Sequence, residues 1–216
     1  MNEMKDLAIY GAGGFGRELA CLIKIINTKK MTWNFIGFFD DGIQHGESNE
    51  YGRIIGGMQE LNRWDKPLCV TFAIGSSEIL SKLTSSITNT LLNFPNIISP
   101  GMNFLDENNV KLGKGNVFCS GCIISCNVTI GNFNLFISTS AVGHDVTIGN
   151  CNVFMPSTKV SGKVIIGDKN TFGVSSTILP NVTIGHRTII GANSLIIQKT
   201  KDGMTYIGSP AVQLRY

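Results

Sequence analysis

The stretch VTIGNFNLFISTSAVGHDVTIG, residues 128–149, begins and ends with the same tetrapeptide, VTIG, at a separation of eighteen residues. Through this stretch and on both sides of it, a large apolar residue recurs at every sixth position without an insertion. Neither a helical period of 3.6 nor a strand period of two produces such a pattern. It predicts a solenoid with six-residue faces. The positions are Leu112, Phe118, Ile124, Ile130, Phe136, Val142, Ile148, Phe154, Val160, Ile166, Phe172, Ile178, Ile184, Ile190 and Ile196.

A second period of eighteen residues is superimposed on the first. Ile-Gly or Leu-Gly pairs recur at this interval, and a column of smaller residues such as Asn116, Asn134 and Asn152 lies two residues before the apolar positions. One coil therefore has three faces, and each coil buries its apolar edge against its neighbours. We expect five triangular coils over residues 105–198, with Gly and Asn supplying the corner conformations. The evenly spaced Phe column is expected to be core and not a cofactor contact.

The first hundred residues show a different pattern. A buried strand at residues 7–10 precedes the glycine-rich turn at residues 11–16 and a helix to about Asn27. Strands follow at residues 35–39 and 68–74, and a helix then extends to about Leu92. This order is βαβαβ, a half-size doubly wound unit. The predicted organisation is an α/β domain at residues 1–104 and a β-helix domain with a short C-terminal tail at residues 105–216.

The turn Gly11–Gly16 matches the pattern G-x-G-x-x-G between a strand and a helix, with acidic residues about two dozen positions later. Glycines let a pyrophosphate approach the amides of a helix N-terminus, as in dinucleotide sites. A dinucleotide site needs two mononucleotide halves, however, and the β-helix replaces the second half. A pyrophosphate-linked nucleotide sugar needs only one half. A tight turn without a ligand stays an alternative.

Composition narrows the classes of function. Charged residues make up 15% of the chain and the net charge is +3, with no basic stripe that would indicate nucleic-acid binding. No apolar run is long enough to span a membrane, and no signal peptide is recognisable, so we expect a cytoplasmic protein. Six cysteines are expected to be reduced thiols. Cys119, Cys122 and Cys126 fall at different positions of the repeat, so we expect no metal site.

Several motifs resemble those of the hexapeptide-repeat sugar O- and N-acetyltransferases of the sialic acid O-acetyltransferase and bacillosamine-pathway group. They are IYGAGGFGRE (9–18), FFDD (38–41), IIGG (54–57), AIGSS (73–77), TSAVGHD (139–145), SGKVIIG (161–167), ILPNVTIG (178–185) and YIGSPA (206–211). The resemblance implies that the coils wind left-handed, which the spacing alone does not. It also implies acetyl-CoA as co-substrate, a nucleotide-linked sugar as acceptor, and a homotrimer.

The same resemblance implies roles for individual residues. His144 matches the catalytic base, with Asp145 beside it, and the Gly162 amide would meet the thioester oxygen. The nucleotide and pyrophosphate would be held by Gly13, Gly14, Phe15, Asp40 and Asp41, with Gly56 and Gly75 in the same pocket. The coenzyme would contact Val153, Gly162, Val174, Ala192, Pro210 and Ala211. Without the resemblance, a solvated corner residue is the simpler interpretation of His144. We expect His186 to be solvated at a coil corner too, and His45 to be solvated in the polar loop GIQHGESNEYG (42–52).

Three departures leave the acceptor open. Several relatives carry His at the positions of Phe15 and Val153, and many amino-sugar acetylators carry Asn at the position of Ile137. The leading hypothesis is an N-acetyltransferase acting on a nucleotide-linked 4-amino sugar, in the synthesis of a surface polysaccharide or glycan such as the O-antigen of lipopolysaccharide. The alternatives are O-acetylation of a sialic acid or related sugar, an NAD-dependent oxidoreductase, and a non-catalytic sugar-binding β-helix.

Overall fold

The computed structural model describes residues 4–214 and divides into two compact units. The first unit contains the residues up to Gly75 together with Ile79–Pro100. The second contains Ser76–Glu78 and the chain from Gly101 onward. Among residues 4–214, no helix is both long and apolar enough to cross a membrane.

The first unit is built on a six-stranded sheet with the order β3-β4-β2-β1-β5-β6. All neighbouring strands are parallel except β3 and β4, which form an antiparallel hairpin. The six strands are β1 (Lys5–Tyr10), β2 (Trp33–Phe39), β3 (Ser48–Asn49), β4 (Gly52–Gly56), β5 (Leu68–Phe72) and β6 (Leu92–Asn93). Strand β7 (Ile97–Ile98) follows them in the chain and lies outside this sheet. The helices are α1 (Gly14–Lys29), α2 (Met58–Asn62) and α3 (Ser77–Ser85). Strand β1 lies at the centre, which is why its LAIY segment is fully buried.

The predicted helix to Leu92 was too long, because α3 ends at Ser85. The hydroxyl groups of Thr84, Ser85 and Ser86 donate to carbonyls one turn earlier, at 2.8–2.9 Å. Such bonds compete with a continued helix. The chain then enters β6, which pairs with β5. The hairpin of β3 and β4 was also missed, since its short strands carry no alternating apolar pattern.

The second unit is a parallel β-helix, as the period of six predicted. One sheet contains β8, β11, β14, β17, β20 and β23, and a second contains β9, β12, β15, β18 and β21. The third contains β10, β13, β16, β19, β22 and β24, with β25 antiparallel at its end. The strand bounds are β8 (Asn103–Phe104), β9 (Val110–Leu112), β10 (Val117–Phe118), β11 (Ile123–Ile124), β12 (Val128–Ile130), β13 (Leu135–Phe136), β14 (Ala141–Val142), β15 (Thr147–Ile148), β16 (Val153–Phe154), β17 (Lys159–Val160), β18 (Ile165–Ile166), β19 (Thr171–Phe172), β20 (Thr177–Ile178), β21 (Thr183–Ile184), β22 (Ile189–Ile190), β23 (Leu195–Ile196), β24 (Thr205–Gly208) and β25 (Ala211–Gln213).

The apolar column forms the core of the β-helix. All its members from Phe118 to Ile196 are buried, and Leu112 packs against them at the open end. The rings of Phe118, Phe136, Phe154 and Phe172 stack nearly parallel, with centroid separations of 4.8, 4.5 and 4.5 Å. A 3-10 turn (Glu107–Asn109) precedes β9. Strand β8 (Asn103–Phe104) pairs with β11 of the β-helix, although the predicted domain boundary follows residue 104.

The column of asparagines inside the β-helix satisfies its own hydrogen bonds. The side chain of Asn134 is fully buried, and its Oδ1 accepts from the backbone N–H of Asn152 at 2.9 Å. Its Nδ2 donates to the Gly149 carbonyl at 2.9 Å. The same bonds link Asn152 to Asn170 in the next coil. This ladder explains how polar side chains occupy an interior where unpaired groups are costly.

The corners adopt left-handed backbone conformations at every sixth residue. Twelve of them are residues other than glycine, including Thr139, Lys163 and Arg187, so the expectation of Gly and Asn corners was only partly right. Each such conformation costs about 1–2 kcal/mol for an ordinary residue. The corner N–H groups offset this cost by donating to the carbonyl nineteen residues earlier, as in Lys163 N–H to His144 O at 2.8 Å.

Replacing Phe136 with Ala should lower the free energy of unfolding by about 3–5 kcal/mol, because it opens a cavity between two stacked rings. Urea denaturation followed by circular dichroism measures the change. The control is Ile165→Ala, since the Ile165 side chain points outward and is 54% exposed. This control should cost less than about 1 kcal/mol. An equally small loss for Phe136→Ala would mean that the Phe column is not core.

Candidate active site

The glycines of the turn between β1 and α1 fall into two groups. Gly11 has φ of +104°, and a Cβ atom there would lie 2.8 Å from the Ala73 carbonyl oxygen. A Cβ at Gly16 would lie 1.9 Å from the Gly11 carbonyl oxygen. Packing therefore requires glycine at both positions. A Cβ at Gly13 or Gly14 would meet nothing within 4 Å. These two glycines border open space, where a ligand can approach the backbone.

The N-terminus of α1 presents free amides to this open space. Gly13 is the N-cap residue and supplies no side-chain cap. The first turn of α1 contains no acidic residue, so no side chain within that turn neutralises its N–H groups or the helix dipole. Such a helix end attracts phosphate groups. The geometry therefore fits the anion site that the sequence motif predicts.

Asp40 and Asp41 follow β2 and hold the surrounding loops together. The carboxylate of Asp40 accepts from the Ala12 N–H and from the Gly42 N–H, each at 2.8 Å. Asp41 accepts from the Met58 N–H at 2.8 Å and from the Tyr10 hydroxyl. Burial, with the hydrogen bond to Asp41, raises the pKa of Tyr10 well above its usual range. The direct roles of both carboxylates in nucleotide binding stay predictions.

A pocket of about 200 Å³ lies beside the turn. Of the predicted substrate residues, only Gly13 lines it, with Ala12, Arg17, Ile43, Glu47, Ser48, Asn49 and Ile54. Sequence reasoning missed the lining from residues 43–54 because it interpreted that segment as a polar loop. Arg17 sits on the first turns of α1 and pairs with Glu50 at 3.2 Å.

The remaining predicted residues of the first unit lie around this turn without lining the pocket. The carbonyl of Gly56 accepts from the Asp40 N–H at 2.8 Å. Gly56 has φ of +149°, and a Cβ there would lie 2.4 Å from the Glu60 Cβ. Close packing against Glu60 therefore explains why position 56 is a glycine. Phe15 is half-buried and Gly75 is exposed.

His144 lies in the turn that follows β14. Its Nδ1 is 2.8 Å from Asp145 Oδ2, and its side chain is 55% exposed. The hydrogen bond to His144 is the largest effect that lowers the pKa of Asp145. An ionised carboxylate can only accept, so Nδ1 carries the proton of a neutral imidazole. The lone pair then lies on Nε2, which makes Nε2 available as a base.

Gly162 lies one coil after His144, and its backbone packs closely against the imidazole ring. A Cβ at position 162 would lie 2.6 Å from both Cε1 and Nε2 of His144. Any other residue would displace the imidazole. Among residues 4–214, none accepts a hydrogen bond from the Gly162 N–H. This amide is available beside the base, at the place where the resemblance expects a donor to the thioester oxygen.

The predicted coenzyme residues differ in accessibility. Val174, Ala192 and Pro210 are exposed on the second unit. Val153 has no accessible surface, and Ala211 is buried against the end of the β-helix core. Val153 therefore offers no surface to a ligand in this structure, and we do not assign it to the coenzyme site.

The other histidines and the cysteines are arranged differently from His144. The Nδ1 of His186 accepts from the Asp168 N–H at 3.0 Å, so it cannot also donate to the nearby Asp168 carboxylate. His45 is exposed. Burial raises the pKa of Cys122 to about 11, which keeps this thiol protonated. Within the described part of the chain, no group of three or more His, Cys, Asp or Glu residues could hold a metal ion.

Two family models match the chain. Residues 6–87 match the PglD N-terminal domain, and residues 163–198 match the bacterial transferase hexapeptide, a model of six repeats. The chain is thus similar to the PglD N-terminal domain in its first unit and to the bacterial hexapeptide transferases in part of its second unit. These matches confirm the resemblance inferred from the sequence motifs. No curated protein matches this chain in sequence.

Solved structures share the fold over nearly the whole chain. WeeI from Acinetobacter baumannii is 27% identical with a TM-score of 0.86, over 98% of this chain and 100% of that one. The acetyltransferase domain of PglB from Neisseria gonorrhoeae, in complex with acetyl coenzyme A, is 25% identical with a TM-score of 0.87, over 98% and 100%. PerB from Caulobacter crescentus, in complex with CoA and GDP-perosamine, is 23% identical with a TM-score of 0.84, over 99% of each chain. The predicted α/β domain followed by a left-handed β-helix is confirmed.

Substitutions in the two groups of glycines should affect stability differently. Gly16→Ala should lower the melting temperature by several degrees, because its methyl group would collide with the Gly11 carbonyl. Gly13→Ala should leave the melting temperature nearly unchanged, because its methyl group enters open space. Differential scanning fluorimetry of the two variants measures both melting temperatures. Equal losses would contradict the division into packing glycines and ligand-facing glycines.

Proposed function

We propose that this protein moves an acetyl group from acetyl-CoA to the amine of a nucleotide-linked 4-amino sugar, with His144 as general base. The observation that carries the proposal is the arrangement around His144. Its Nδ1 is engaged by Asp145, and its Nε2 stands over Gly162, whose N–H has no acceptor within residues 4–214. A base and an oxyanion donor side by side are what direct acyl transfer needs.

The proposed reaction is a direct attack on the thioester. The sugar amine forms a bond to the acetyl carbon and loses a proton to Nε2 of His144. The Gly162 N–H donates to the carbonyl oxygen as it becomes negative. The carbon–sulfur bond then breaks, and the imidazolium returns its proton to the CoA sulfur. Asp145 stabilises the imidazolium between these steps. No cysteine is needed, in keeping with the protonated, buried thiol of Cys122.

We assign binding of the nucleotide part of the acceptor to the first unit. The uncapped N-terminus of α1 suits a pyrophosphate, and Gly13 and Gly14 leave room above it. Arg17, which lines the neighbouring pocket, adds a positive charge. Asp40 and Asp41 support this site by holding the Gly-rich turn and the start of α2. The choice of an amino sugar rests on the resemblance of the sequence motifs.

We further propose a homotrimer in which acetyl-CoA binds along the β-helix, near the exposed Val174, Ala192 and Pro210. The trimer rests on the resemblance to the sugar acetyltransferases. A reaction that consumes acetyl-CoA and a nucleotide sugar fits the cytoplasmic stage of surface polysaccharide or glycan synthesis, such as that of the O-antigen of lipopolysaccharide. Sedimentation of a fully active monomer would contradict the trimer.

Release of free CoA thiol tests the proposed function directly. The protein is incubated with acetyl-CoA and a panel of nucleotide-linked sugars, half with a 4-amino group and half with a hydroxyl at that position. Release with the amino sugars alone supports the proposal. Release with sialic acid or hydroxyl acceptors would indicate O-acetylation, and no release with any acceptor would favour a non-catalytic β-helix.

His144→Asn should lower turnover by about two to four orders of magnitude, the usual contribution of a positioned base. Affinity for acetyl-CoA should change little, because the base acts in the transition state. The matched control is His186→Asn, since His186 follows Ile-Gly as His144 follows Val-Gly, and its side chain is 51% exposed. Steady-state kinetics of both variants provide the comparison. Equal rates for the His144 variant and the wild type would remove His144 from the mechanism.

The rate should rise with pH, because a general base accepts a proton only in its unprotonated form. Asp145 stays ionised through this range, because its pKa is lowered by the bond to His144. Its negative charge stabilises the imidazolium, so Asp145→Asn should shift the rate profile to lower pH and reduce the plateau rate by less than the His144 variant does. Asn also suits the left-handed conformation of position 145. An unshifted profile would contradict the electrostatic role of Asp145.

Gly13→Val tests the first unit independently of the chemistry. The branched side chain would fill the space above the α1 N-terminus, so the KM for the nucleotide sugar should rise at least about tenfold. The KM for acetyl-CoA should stay within about twofold. Isothermal titration with the nucleotide diphosphate alone gives the same comparison without turnover. Unchanged affinity would place the nucleotide elsewhere.

A further inference from the structure

One side chain near His144 has no role in the reaction as described. Asn127 lies one coil before Asp145, at the same corner of the β-helix, and its Nδ2 donates to Asp145 Oδ1 at 3.2 Å. The other oxygen of that carboxylate, Oδ2, is the one bonded to His144. The two bonds hold the carboxylate at both ends. The eighteen-residue register places the three groups in sequence: amide, carboxylate and imidazole.

The amide of Asn127 must face Asp145 with its NH₂ group. The pKa of Asp145 is lowered first by the hydrogen bond to His144 and next by that to Asn127, with a smaller effect from Lys163. A carboxylate that stays ionised accepts hydrogen bonds only. It therefore selects Nδ2 of Asn127 on one side and the protonated Nδ1 of His144 on the other. The negative charge of Asp145 is therefore consistent with both hydrogen bonds, which Asn127 and His144 donate to it.

The backbone of Asn127 favours this placement. Its φ is 55°, in the left-handed region that Asn tolerates better than most residues. Asp145 has a nearly identical φ of 58°, and its N–H donates to the Cys126 carbonyl at 3.1 Å. The two residues thus occupy equivalent positions in consecutive coils. Their short side chains meet because the coils stack in register.

We propose that Asn127 is a positioning residue for His144: by fixing Asp145, it keeps the proton of the neutral imidazole on Nδ1 and the lone pair on Nε2. This inference rests on the proposed function of His144. Without Asn127, the Asp145 side chain can rotate away from the imidazole, and the ring can adopt the other tautomer. The tautomer with the proton on Nε2 cannot accept a proton from the acceptor amine at that atom.

The first test is Asn127→Gly, which removes the amide but keeps a residue suited to positive φ. Turnover should fall about three- to tenfold, as the loss of one hydrogen bond to a charged group predicts. The KM for acetyl-CoA should stay unchanged. The matched control is Asn181→Gly, at the same corner with φ of 63° but two coils beyond Asp145. It should keep wild-type turnover. Equal turnover in both variants would overturn the proposal.

The second variant is Asn127→Asp, which has nearly the same shape and also tolerates positive φ. Two facing carboxylates would repel one another and favour a positive charge on His144, so the rate profile should move to higher pH by up to about one unit. The charges that face this group are Asp145, His144 and Lys163. A purely structural role for Asn127 would leave the midpoint of the profile unchanged, and that result would contradict the proposal.

The last measurement does not depend on catalysis. Nitrogen-15 NMR of histidine-labelled full-length protein distinguishes the two imidazole tautomers of His144. The wild type should show the proton on Nδ1, and Asn127→Gly should show a mixture of both forms. Identical nitrogen shifts in the two proteins would reject the positioning role. A mixture in the variant together with no acetyl transfer by the wild type would support the positioning role and reject the proposed function.

Discussion

The second unit depends on one repeated interaction: at every sixth residue from Phe133 to Asn193, the corner N–H donates to the carbonyl nineteen residues earlier. It holds corner residues in left-handed conformations that would otherwise be unfavourable. It also keeps every coil at eighteen residues, so side chains stack on their counterparts. The Phe stack and the Asn ladder follow from this register. The candidate site follows from it too, because Asn127 meets Asp145 and His144 meets Gly162 at that separation.

The sequence predicted the β-helix well because the repeat is local and nearly free of exceptions. Spacing alone located the buried column from Phe118 to Ile196. It did not reveal which residues turn the corners, because Lys163 and Arg187 are not usual in left-handed conformations. Their geometry is imposed by neighbouring coils. The hand of the coil was likewise available only from the resemblance to known transferases.

The site was predictable only in part. The motif located the turn of Gly13 and the start of α1, but the contacts of Asp40 and the pocket lining around Asn49 depend on residues distant in sequence. Similarly, nothing in the spacing distinguished His144 from His186. The structure separates them: His144 can donate from Nδ1 to a carboxylate, whereas the same atom of His186 accepts from a backbone N–H. Only the first arrangement leaves Nε2 as a base with an oriented partner.

The central claim is that Nε2 of His144 accepts the proton of the sugar amine. A crystal structure of the wild-type protein with CoA and an intact nucleotide-linked 4-amino sugar tests it most directly, since CoA carries no acetyl group to transfer. The account predicts the amine nitrogen at about 2.6–3.2 Å from Nε2, the reach of a general base. It also predicts the CoA sulfur beside the Gly162 N–H. An ordered amine bound beyond the reach of His144, directly or through one water, would contradict the account.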